Sequence, residues 1–353
     1  MKNFAVGPVV SEEYLLKISG EQVPYFRTPE FSKIILESEC LIKELADAPN
    51  TAKAIFVTGS GTAAMEATVM NVFSSHDKVL VVNGGSFGER FCELCRIHHV
   101  AYDELIVPFG ENISDDLFKK YIGCGYTGLL INVCETSTGV LYDMKVVKKF
   151  CQNEGILLIA DAISAFMSDP LSMKELGIDV IITGSQKALA CQPGVSIIVL
   201  SERAQNRVFA NNPNTLYFNL KLAIKNSERG QTPFTPAVGI IRQIHEKLVN
   251  VQRIGIARWI EKTKIQANDF RERIATLPFV ITSKSLSNTV TPLHPLMGTT
   301  SEIVMRLKDE YGIWVCPNGG VLGRKIFRVG HIGDLTLDDN KILVDALKNI
   351  LVV

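Results

Sequence analysis

The stretch ILLIADAISAFMSDPLSMKELGIDVIITGSQKAL, residues 156–189, holds two short, uniformly apolar runs separated by a mixed segment. Runs of this length, rich in Ile, Leu and Val, are typical of strands that are buried on both faces of a parallel sheet. The first run ends at Asp161, and Lys187 lies just beyond the end of the second. A carboxylate and an amine at the ends of buried strands are unexpected, because a chain has many surface positions for charged residues.

The same alternation of apolar runs and longer segments extends over residues 54–200 and predicts an α/β fold. Four more apolar runs fit buried strands: AIFVTG (54–59), KVLVVNGG (78–85), GLLINVCE (128–135) and VSIIVL (195–200). Amphipathic stretches suited to helices lie at 62–73, 88–99 and 143–153. We therefore predict a large domain with a mainly parallel sheet that is covered by helices.

The pattern changes after about residue 250. A long helical stretch at 256–277 is followed by the strand-like pieces TVTPLHP, GIWVCP and KIFRVGH and by a final helix at 337–350. This order predicts a smaller α+β domain. We divide the chain into an N-terminal arm (1–13), the large domain (14–250) and a small C-terminal domain (251–353).

Charge and composition exclude several classes of protein. Lys+Arg and Asp+Glu both number 37, so the formal net charge is +0, and no long basic run offers the footprint of a nucleic-acid binder. No apolar run approaches the ~18 residues of a membrane span, and Pro8 and acidic residues interrupt the N-terminus before a signal-peptide core forms. We expect a cytoplasmic protein that binds neither nucleic acid nor membrane and whose partners are small molecules or other proteins.

The eight cysteines lack the regular spacing of a disulfide framework. Cys92 and Cys95 form the only pair with redox or metal-site spacing, and no second cysteine pair or histidine pair completes a zinc site. We therefore expect free thiols on a helix and no metal.

Polar, small or charged segments follow the apolar runs: TGSGTAAMEA (58–67), NGGSFGER (83–90), CETSTGV (134–140), DAIS (161–164) and GSQK (184–187). Because the carboxyl ends of parallel strands meet at one edge, these segments are expected to face one crevice. In the first segment, Ser60, Gly61 and Thr62 precede a helix whose N-terminus favours an anion such as phosphate. Capping of the helix by Ser60 or Thr62 is the structural alternative.

Residues 59–64 also satisfy the G-x-G-x-x-A pattern of a dinucleotide site. Such a site needs an acidic residue at the end of the next strand. That strand ends here in Asn83, and Asp77 precedes it, which disfavours a dinucleotide. A Walker loop is excluded, because no Lys-Ser or Lys-Thr follows the glycines.

Asp161 and Lys187 add a carboxylate and an amine to the same crevice. A carboxylate at the end of a buried strand is unfavourable unless it meets a cation or several donors. Helix capping is the structural alternative for Asp161, and a surface position is the alternative for Lys187. Together with the phosphate cradle, the two residues suit pyridoxal phosphate, a phosphorylated cationic heteroaromatic aldehyde. Asp161 would keep the pyridine nitrogen protonated, while Lys187 would form a Schiff base and act as the base that moves the α-proton.

Several short motifs follow one another along the chain in this order: VGP (6–8), TGSGTAAMEA, GSFGER, ETSTGV, DAIS, GSQKAL with QPG (192–194), and FRVGHIG (327–333). By this order the chain resembles the class V, fold-type I pyridoxal-phosphate-dependent aminotransferases over nearly its full length. This group includes alanine–glyoxylate, serine–pyruvate and 2-aminoethylphosphonate–pyruvate transaminases. The resemblance implies transfer of an amino group from a small amino acid, such as alanine or serine, to a 2-oxo acid such as pyruvate or glyoxylate.

The resemblance also assigns cofactor contacts. Phe87 is implied to stack on one face of the cofactor ring, Ile163 to pack on the other face, and Thr136 to lie beside the ring hydroxyl. Phosphate contacts within the chain are implied for Ser60, Gly61, Thr62 and Ser185. Catalytic roles are implied for Lys187 and Asp161, in agreement with their positions at the strand ends.

Three further residues are matched to the family. Thr232, in RGQTPFTP, resembles the threonine that reaches the phosphate of the neighbouring subunit, which implies a homodimer with active sites at the subunit interface. Arg328 matches the arginine that clamps the substrate carboxylate through two parallel hydrogen bonds, with an interface ion pair as the alternative. Gly7 lies in the turn that is implied to cover the substrate.

Three other functions stay open. A 2-aminoethylphosphonate donor calls for an additional cation near the crevice mouth, for which Arg27 is a candidate. Cysteine desulfurase or lyase chemistry on the same fold needs a nucleophilic cysteine on a mobile loop, and Cys316, in VCPNGG, has loop-like surroundings. A non-catalytic cofactor-binding module would need neither Lys187 nor Arg328.

Overall fold

The structure, a computed structural model, describes residues 1–351 of the chain. The strands in this range are β1 (Lys2–Phe4), β2 (Lys53–Thr58), β3 (Lys78–Asn83), β4 (Ala101–Ile106), β5 (Gly128–Asn132), β6 (Cys134–Glu135), β7 (Val140–Leu141), β8 (Leu157–Asp161), β9 (Val180–Gly184), β10 (Val195–Leu200), β11 (Phe279–Ile281), β12 (Val290–Pro295), β13 (Ile313–Pro317) and β14 (Phe327–Gly330).

The helices in the same range are α1 (Glu13–Ser19), α2 (Pro29–Leu45), α3 (Gly61–Val72), α4 (Ser86–Ile97), α5 (Asp115–Phe118), α6 (Met144–Glu154), α7 (Met173–Leu176), α8 (Glu202–Ala210), α9 (Leu220–Ser227), α10 (Val238–Ile254), α11 (Ile256–Ile274), α12 (Thr300–Tyr311) and α13 (Leu337–Leu351). Short 3₁₀ turns lie at Lys119–Tyr121 and Leu322–Arg324.

A seven-stranded sheet with the order β2-β10-β9-β8-β5-β3-β4 confirms the predicted α/β fold. The pairs from β9 through β4 are parallel, while β10 runs antiparallel to both β9 and β2. Every residue of β5, β8, β9 and β10 is buried, which explains why their sequences are mostly apolar on both faces.

Both faces of this sheet carry a hydrophobic core. Successive strand side chains point to opposite faces, so Leu80 and Val82 of β3 join one core while Val79 and Val81 join the other. Helices α2, α6 and α10 pack on the first face, and α3, α4, α8 and α9 pack on the second. The parallel strands therefore end at one common edge, between two layers of helices.

A second, five-stranded sheet has the order β1-β13-β14-β12-β11 and confirms the smaller α+β unit. Strand β1 pairs in parallel with β13, with Lys2 opposite Ile313 and Phe4 opposite Val315. Phe4 is fully buried in the core that this sheet forms with α11, α12 and α13. The predicted N-terminal arm thus begins with a strand of the second sheet, which the sequence did not reveal. The domain boundaries at 13/14 and 250/251 stay predictions.

Within residues 1–351, each helix is too short or too polar to cross a lipid bilayer.

Candidate active site

Asp161 lies at the carboxyl end of β8, in register with Asn132 at the end of β5. Its Oδ1 accepts a hydrogen bond from the Ile163 N–H at 2.8 Å, and its Oδ2 accepts one from Asn132 Nδ2 at 2.5 Å. Burial raises the pKa of this carboxyl to about 6, although both hydrogen bonds act to lower it. Both donors are neutral, so the carboxylate keeps the capacity to stabilise a bound cation.

Lys187 follows β9, and its side chain is mostly buried. Its Nζ donates a hydrogen bond to the Val6 carbonyl at 2.6 Å. Gly7 packs directly on the same side chain, because a Cβ atom added to Gly7 would lie 2.6–2.9 Å from Cδ, Nζ and Cε of Lys187. Burial lowers the pKa of the amine to about 8, and the Arg328 guanidinium acts in the same direction. A neutral, nucleophilic amine is therefore accessible near physiological pH.

Lys187 and Asp161 are electrostatic neighbours, since each shifts the pKa of the other towards its charged form. Strands β8 and β9 pair in parallel, which brings both residues to the same edge of the sheet. The amine donates to a backbone carbonyl and the carboxylate accepts from neutral donors, so the two groups are not bonded to each other. Both remain available to a molecule bound at this edge.

The predicted phosphate loop leads from β2 into α3. Ser60 occupies the N-cap position of α3, but its side chain is exposed and makes no capping hydrogen bond. Gly61 approaches Ile163 so closely that a Cβ atom at Gly61 would lie 2.1 Å from Cδ1 of Ile163. Thr62 accepts a hydrogen bond from Arg90 Nη1 at 3.2 Å. The Ser60 hydroxyl is therefore free for a ligand, and Arg90 adds a positive charge beside the loop.

Phe87 lies in the first turn of α4, and Glu135 fixes its position. The buried Glu135 carboxylate accepts hydrogen bonds from the N–H groups of Phe87 at 3.2 Å and Gly88 at 3.0 Å. Ser137 N–H donates to the same carboxylate at 3.1 Å. The Arg90 guanidinium lies 4.9 Å from the centroid of the Phe87 ring. Phe87 is thus held between the ETSTG segment and the phosphate loop.

Thr136 joins the segment after β8 to the second sheet. Its hydroxyl and that of Ser164 are 2.5 Å apart, and its carbonyl accepts a hydrogen bond from Arg328 Nη1 at 3.1 Å. Both hydroxyl-bearing residues are buried. Thr136 therefore lies between the Asp161 segment and Arg328.

Ser185 is fully buried, and its hydroxyl is engaged within its own turn. Oγ donates to the Gln192 carbonyl at 2.7 Å and accepts from the Val195 N–H at 3.3 Å. The neighbouring Gln186 differs, because its Oε1 is buried without a hydrogen-bond partner among the described residues. By these contacts Gln186 has a free polar group for a ligand, and Ser185 maintains the turn that presents Lys187.

Arg328 lies on β14 and is only 8% exposed. Its Nη1 donates to Thr136 O at 3.1 Å, and its Nη2 donates to Pro317 O at 3.0 Å and Cys316 Sγ at 3.2 Å. Its Nε has no partner within the described part of the chain. All these acceptors are uncharged, and burial lowers the pKa of the guanidinium. A buried cation without a carboxylate partner is suited to an anionic ligand.

Thr232 and Arg27 contact each other, and Thr232 lines one cavity with Thr58, the last residue of β2 before the phosphate loop. The Thr232 hydroxyl donates to Phe234 O at 2.7 Å, and its carbonyl accepts from Arg27 Nη1 at 2.9 Å. Arg27 also donates to Gln231 Oε1 at 2.9 Å and Pro233 O at 3.1 Å. The guanidinium is therefore occupied by the 231–233 loop, and its contacts do not include the Lys187 side chain.

Cys316 corrects one expectation from the sequence. It lies within strand β13, not on a loop, and its sulfur accepts a hydrogen bond from Arg328. Cys92 and Cys95 both lie on α4 as buried free thiols, as expected. Burial raises the pKa of each of the two helix thiols to about 12.

Five residues of the site were not identified from the sequence: Asn132, Glu135, Ser164, Gln186 and Arg90. Asn132 ends β5 and Glu135 follows it, at the same sheet edge as Asp161, so their position at the end of an apolar run was an available signal. Ser164 lies in the DAIS segment. The contact of Arg90 with Thr62 joins two helices, and no local pattern indicates it.

The described residues fit pyridoxal phosphate. Asp161 offers a buried carboxylate without a bonded cation, and Lys187 offers an amine of lowered pKa. Gln186 Oε1 and Arg328 Nε are buried without hydrogen bonds. Buried polar atoms without partners are rare in folded proteins and indicate a place for a ligand when they lie at a strand-end crevice.

Comparison with known proteins agrees with this fold. A family model described as aminotransferase class-V matches residues 12–320. The chain is 27% identical to the small subunit of a soluble hydrogenase from Synechococcus sp., over 98% of this chain and 91% of the relative. It is 24% identical to L-aspartate–glyoxylate aminotransferase from Paracoccus denitrificans, over 94% of this chain and 86% of the relative.

Among solved structures, alanine–glyoxylate aminotransferase from Nostoc sp. superposes with a TM-score of 0.93 at 24% sequence identity. The superposition covers 99% of this chain and 95% of that chain. This likeness supports the shared fold, while the family model, which spans most of the sequence, supports the assignment to a family. The chain belongs to the aminotransferase class-V family.

Proposed function

We propose that the chain is a pyridoxal-phosphate-dependent aminotransferase that moves the amino group of a small α-amino acid, such as alanine or serine, to pyruvate or glyoxylate. Lys187 would hold the cofactor through a Schiff base. The observation that carries this proposal is the placement of a mostly buried amine and a buried carboxyl, neither of them in an ion pair, at the ends of adjacent parallel strands.

Asp161 is the partner of the pyridine nitrogen. When bound, pyridoxal phosphate supplies a protonated ring that withdraws electrons from the substrate α-carbon. A carboxylate held by Asn132 and the Ile163 N–H stabilises the proton on that ring nitrogen. Ile163 and Phe87 are the candidates for the two ring faces, and Thr136 for the ring hydroxyl.

Lys187 is the base that moves the α-proton once its amine is free. Its pKa of about 8 allows the amine to lose its proton near neutral pH, which an exposed lysine does rarely. The Val6 carbonyl accepts from the amine at 2.6 Å and orients it. The N-terminal segment therefore takes part in positioning the catalytic group.

Arg328 is the clamp for the substrate carboxylate. It is buried, and its present partners are two backbone carbonyls and a thiol. A guanidinium binds a carboxylate through two parallel hydrogen bonds. The relative from Paracoccus and the Nostoc structure both have glyoxylate in their names, which supports a small 2-oxo acid as acceptor.

The other functions are less well supported. Arg27, the candidate cation for a phosphonate donor, is bound to the 231–233 loop. Cys316, the candidate nucleophile of a desulfurase, lies in a strand. A non-catalytic module gives no reason for an amine of lowered pKa beside an unpaired carboxyl. The aminotransferase is therefore the function that these contacts favour.

A cytoplasmic homodimer, in which Thr232 reaches the neighbouring subunit's phosphate, is part of the proposal. All eight cysteines are free thiols, which is usual in a reducing compartment. The Thr232 hydroxyl would have to leave Phe234 O to bind a phosphate of the neighbouring subunit.

The test is a half-reaction screen on the purified chain with pyridoxal phosphate. We expect a violet-edge absorbance band that is absent in Lys187→Ala, and we expect one small amino acid to bleach it. Addition of pyruvate or glyoxylate should then restore the band. A chain that shows no band with added cofactor contradicts the proposal. Bleaching by 2-aminoethylphosphonate alone would identify this compound, and not alanine or serine, as the amino donor.

A further inference from the structure

One hydrogen bond of Arg328, from Nη2 to the Cys316 thiol, is weaker than the others. Nη2 is shared between the Pro317 carbonyl at 3.0 Å and Cys316 Sγ at 3.2 Å, which are themselves 3.7 Å apart. A thioether or thiol sulfur is a weaker hydrogen-bond acceptor than a carbonyl oxygen. The carbonyl belongs to the backbone of β13, whereas the thiol can rotate about its Cα–Cβ bond. A bound ligand can therefore displace the thiol from Nη2 more easily than it can displace the carbonyl.

Nη2 is also the nitrogen that a bound carboxylate needs. A guanidinium offers two edges with paired N–H groups, Nε with Nη2 and Nη1 with Nη2, so both edges include Nη2. Nε of Arg328 has no partner, which leaves the Nε edge half open. A carboxylate that binds Arg328 through two parallel bonds must therefore come to lie beside Cys316.

We propose that Cys316 is a positioning residue of the substrate clamp, a thiol that holds Nη2 of Arg328 until a substrate carboxylate displaces it. This inference rests on the proposed role of Arg328 and deepens it. Carboxylate binding and the access of reagents to the thiol are then coupled, because a carboxylate bound at Arg328 lies beside the sulfur and blocks the approach of other molecules. The thiol also forms one wall of the carboxylate subsite, so its size sets how closely a carboxylate can approach.

The chain provides its own controls for a test with thiol reagents. Cys40 and Cys124 are exposed and Cys316 is partly exposed, while the other five cysteines are buried. Alkylation followed by peptide mass analysis therefore compares the clamp thiol with two ordinary thiols in the same sample. Each reaction joins the sulfur to the reagent methylene, releases iodide and passes the thiol proton to solvent.

The experiment uses the chain loaded with pyridoxal phosphate and compares anionic iodoacetate with neutral iodoacetamide. We expect the rate ratio of iodoacetate to iodoacetamide to be roughly tenfold higher at Cys316 than at Cys40 and Cys124, because Arg328 binds the reagent carboxylate. Propanoate should slow iodoacetamide labelling at Cys316 only, and propanamide, its neutral counterpart of the same size, should not. Arg328→Gln should remove the preference.

Equal rate ratios at the three thiols, or equal effects of propanoate and propanamide, would overturn the inference. The reagent comparison in the unaltered chain decides the matter even where Arg328→Gln does not fold. The labelling needs no turnover, so it can fail while Lys187 still holds the cofactor. Loss of cofactor attachment with carboxylate-sensitive labelling retained would instead contradict the proposed function.

Discussion

Lys187 and Asp161 carry opposite pKa shifts that arise from the same cause. Burial disfavours the charged form of each group, which lowers the pKa of the amine to about 8 and raises that of the carboxyl to about 6. Each pKa unit corresponds to about 1.4 kcal/mol, so either group changes protonation near neutral pH at small cost. The cationic ring of a bound cofactor would give Asp161 a partner that favours its ionised form.

The lowered pKa of Lys187 predicts how the rate of cofactor uptake by the unloaded chain depends on pH. The neutral amine is the reactive form, and its fraction rises with pH and levels off above the lowered pKa of about 8. Between pH 7 and pH 9 the rate of band formation should rise about tenfold, whereas a free lysine analogue of ordinary pKa should gain about a hundredfold. Stopped-flow absorbance on both amines measures this. A rate for the chain that climbs in parallel with the free amine above pH 9 would contradict the lowered pKa.

The contacts of Arg27 and Cys316 could not be predicted from the sequence. Arg27 is an arginine near the N-terminus and Cys316 precedes a glycine-rich stretch, and either side chain was compatible with a place in the crevice. Arg27 binds the 231–233 loop, about 200 residues away along the chain, and Cys316 binds Arg328 across a strand pair. Such partner choices depend on tertiary contacts, and no spacing rule encodes them.

The turn after β1 is the element that closes over the catalytic lysine. Gly7 has φ +133, a conformation that residues with a side chain rarely adopt, and its α-carbon faces Lys187. Strand β1 fixes one end of the turn in the second sheet, and the Val6 carbonyl binds the amine. The turn thus couples the second sheet to the site at the edge of the first.

Replacement of Gly7 by Ala is therefore expected to weaken cofactor binding by about tenfold or more, since backbone strain of this kind costs of the order of 1–3 kcal/mol. The added Cβ also overlaps three atoms of Lys187. Gly20→Ala is the matched control, because Gly20 has φ −83 and its Cβ would make only an ordinary contact of 3.5 Å with Lys17 O. Titration of each unloaded variant with pyridoxal phosphate gives the comparison. Equal affinities for the two variants would show that the conformation of the Gly7 turn does not affect cofactor binding.

Strands differ in how well the sequence predicts them. The buried strands β5, β8, β9 and β10 were recognised because both of their faces are apolar. Strand β4, AYDELI, lies at the edge of the sheet with mostly exposed or half-buried residues, and its polar sequence gave no strand signal. Strand β1 is three residues long and depends on pairing with β13, about 310 residues away. The candidate site was predictable where residues follow buried strands, and was missed where it depends on contacts between helices.

A buried ion pair joins distant parts of the chain. Lys247 of α10 is fully buried, pairs with Glu12 ahead of α1, and lies 4.0 Å from the centroid of the Trp259 ring of α11. Burial lowers the pKa of this lysine. The Lys247 ammonium therefore connects three parts of the chain: the N-terminal segment, the helices over the large sheet, and the first helix of the C-terminal region.

Lys247→Ala is expected to destabilise the fold by about 3–5 kcal/mol, because it leaves Glu12 without its cation in a mostly buried position. Lys262→Ala is the control. Lys262 also faces the Trp259 ring, at 5.6 Å, but is exposed, so its loss should change the free energy of unfolding by ~0.5 kcal/mol or less. Urea unfolding followed by circular dichroism compares the two. Similar midpoints for both variants would show that the buried pair contributes little to stability.

The most direct test is to locate the cofactor on the folded chain. The chain is incubated with pyridoxal phosphate, reduced with borohydride, digested and analysed by mass spectrometry. We expect a phosphopyridoxyl group on Lys187, with labelling of this residue suppressed in Asp161→Ala. A modification on another lysine, or an unmodified Lys187 in a preparation that binds the cofactor, would contradict it.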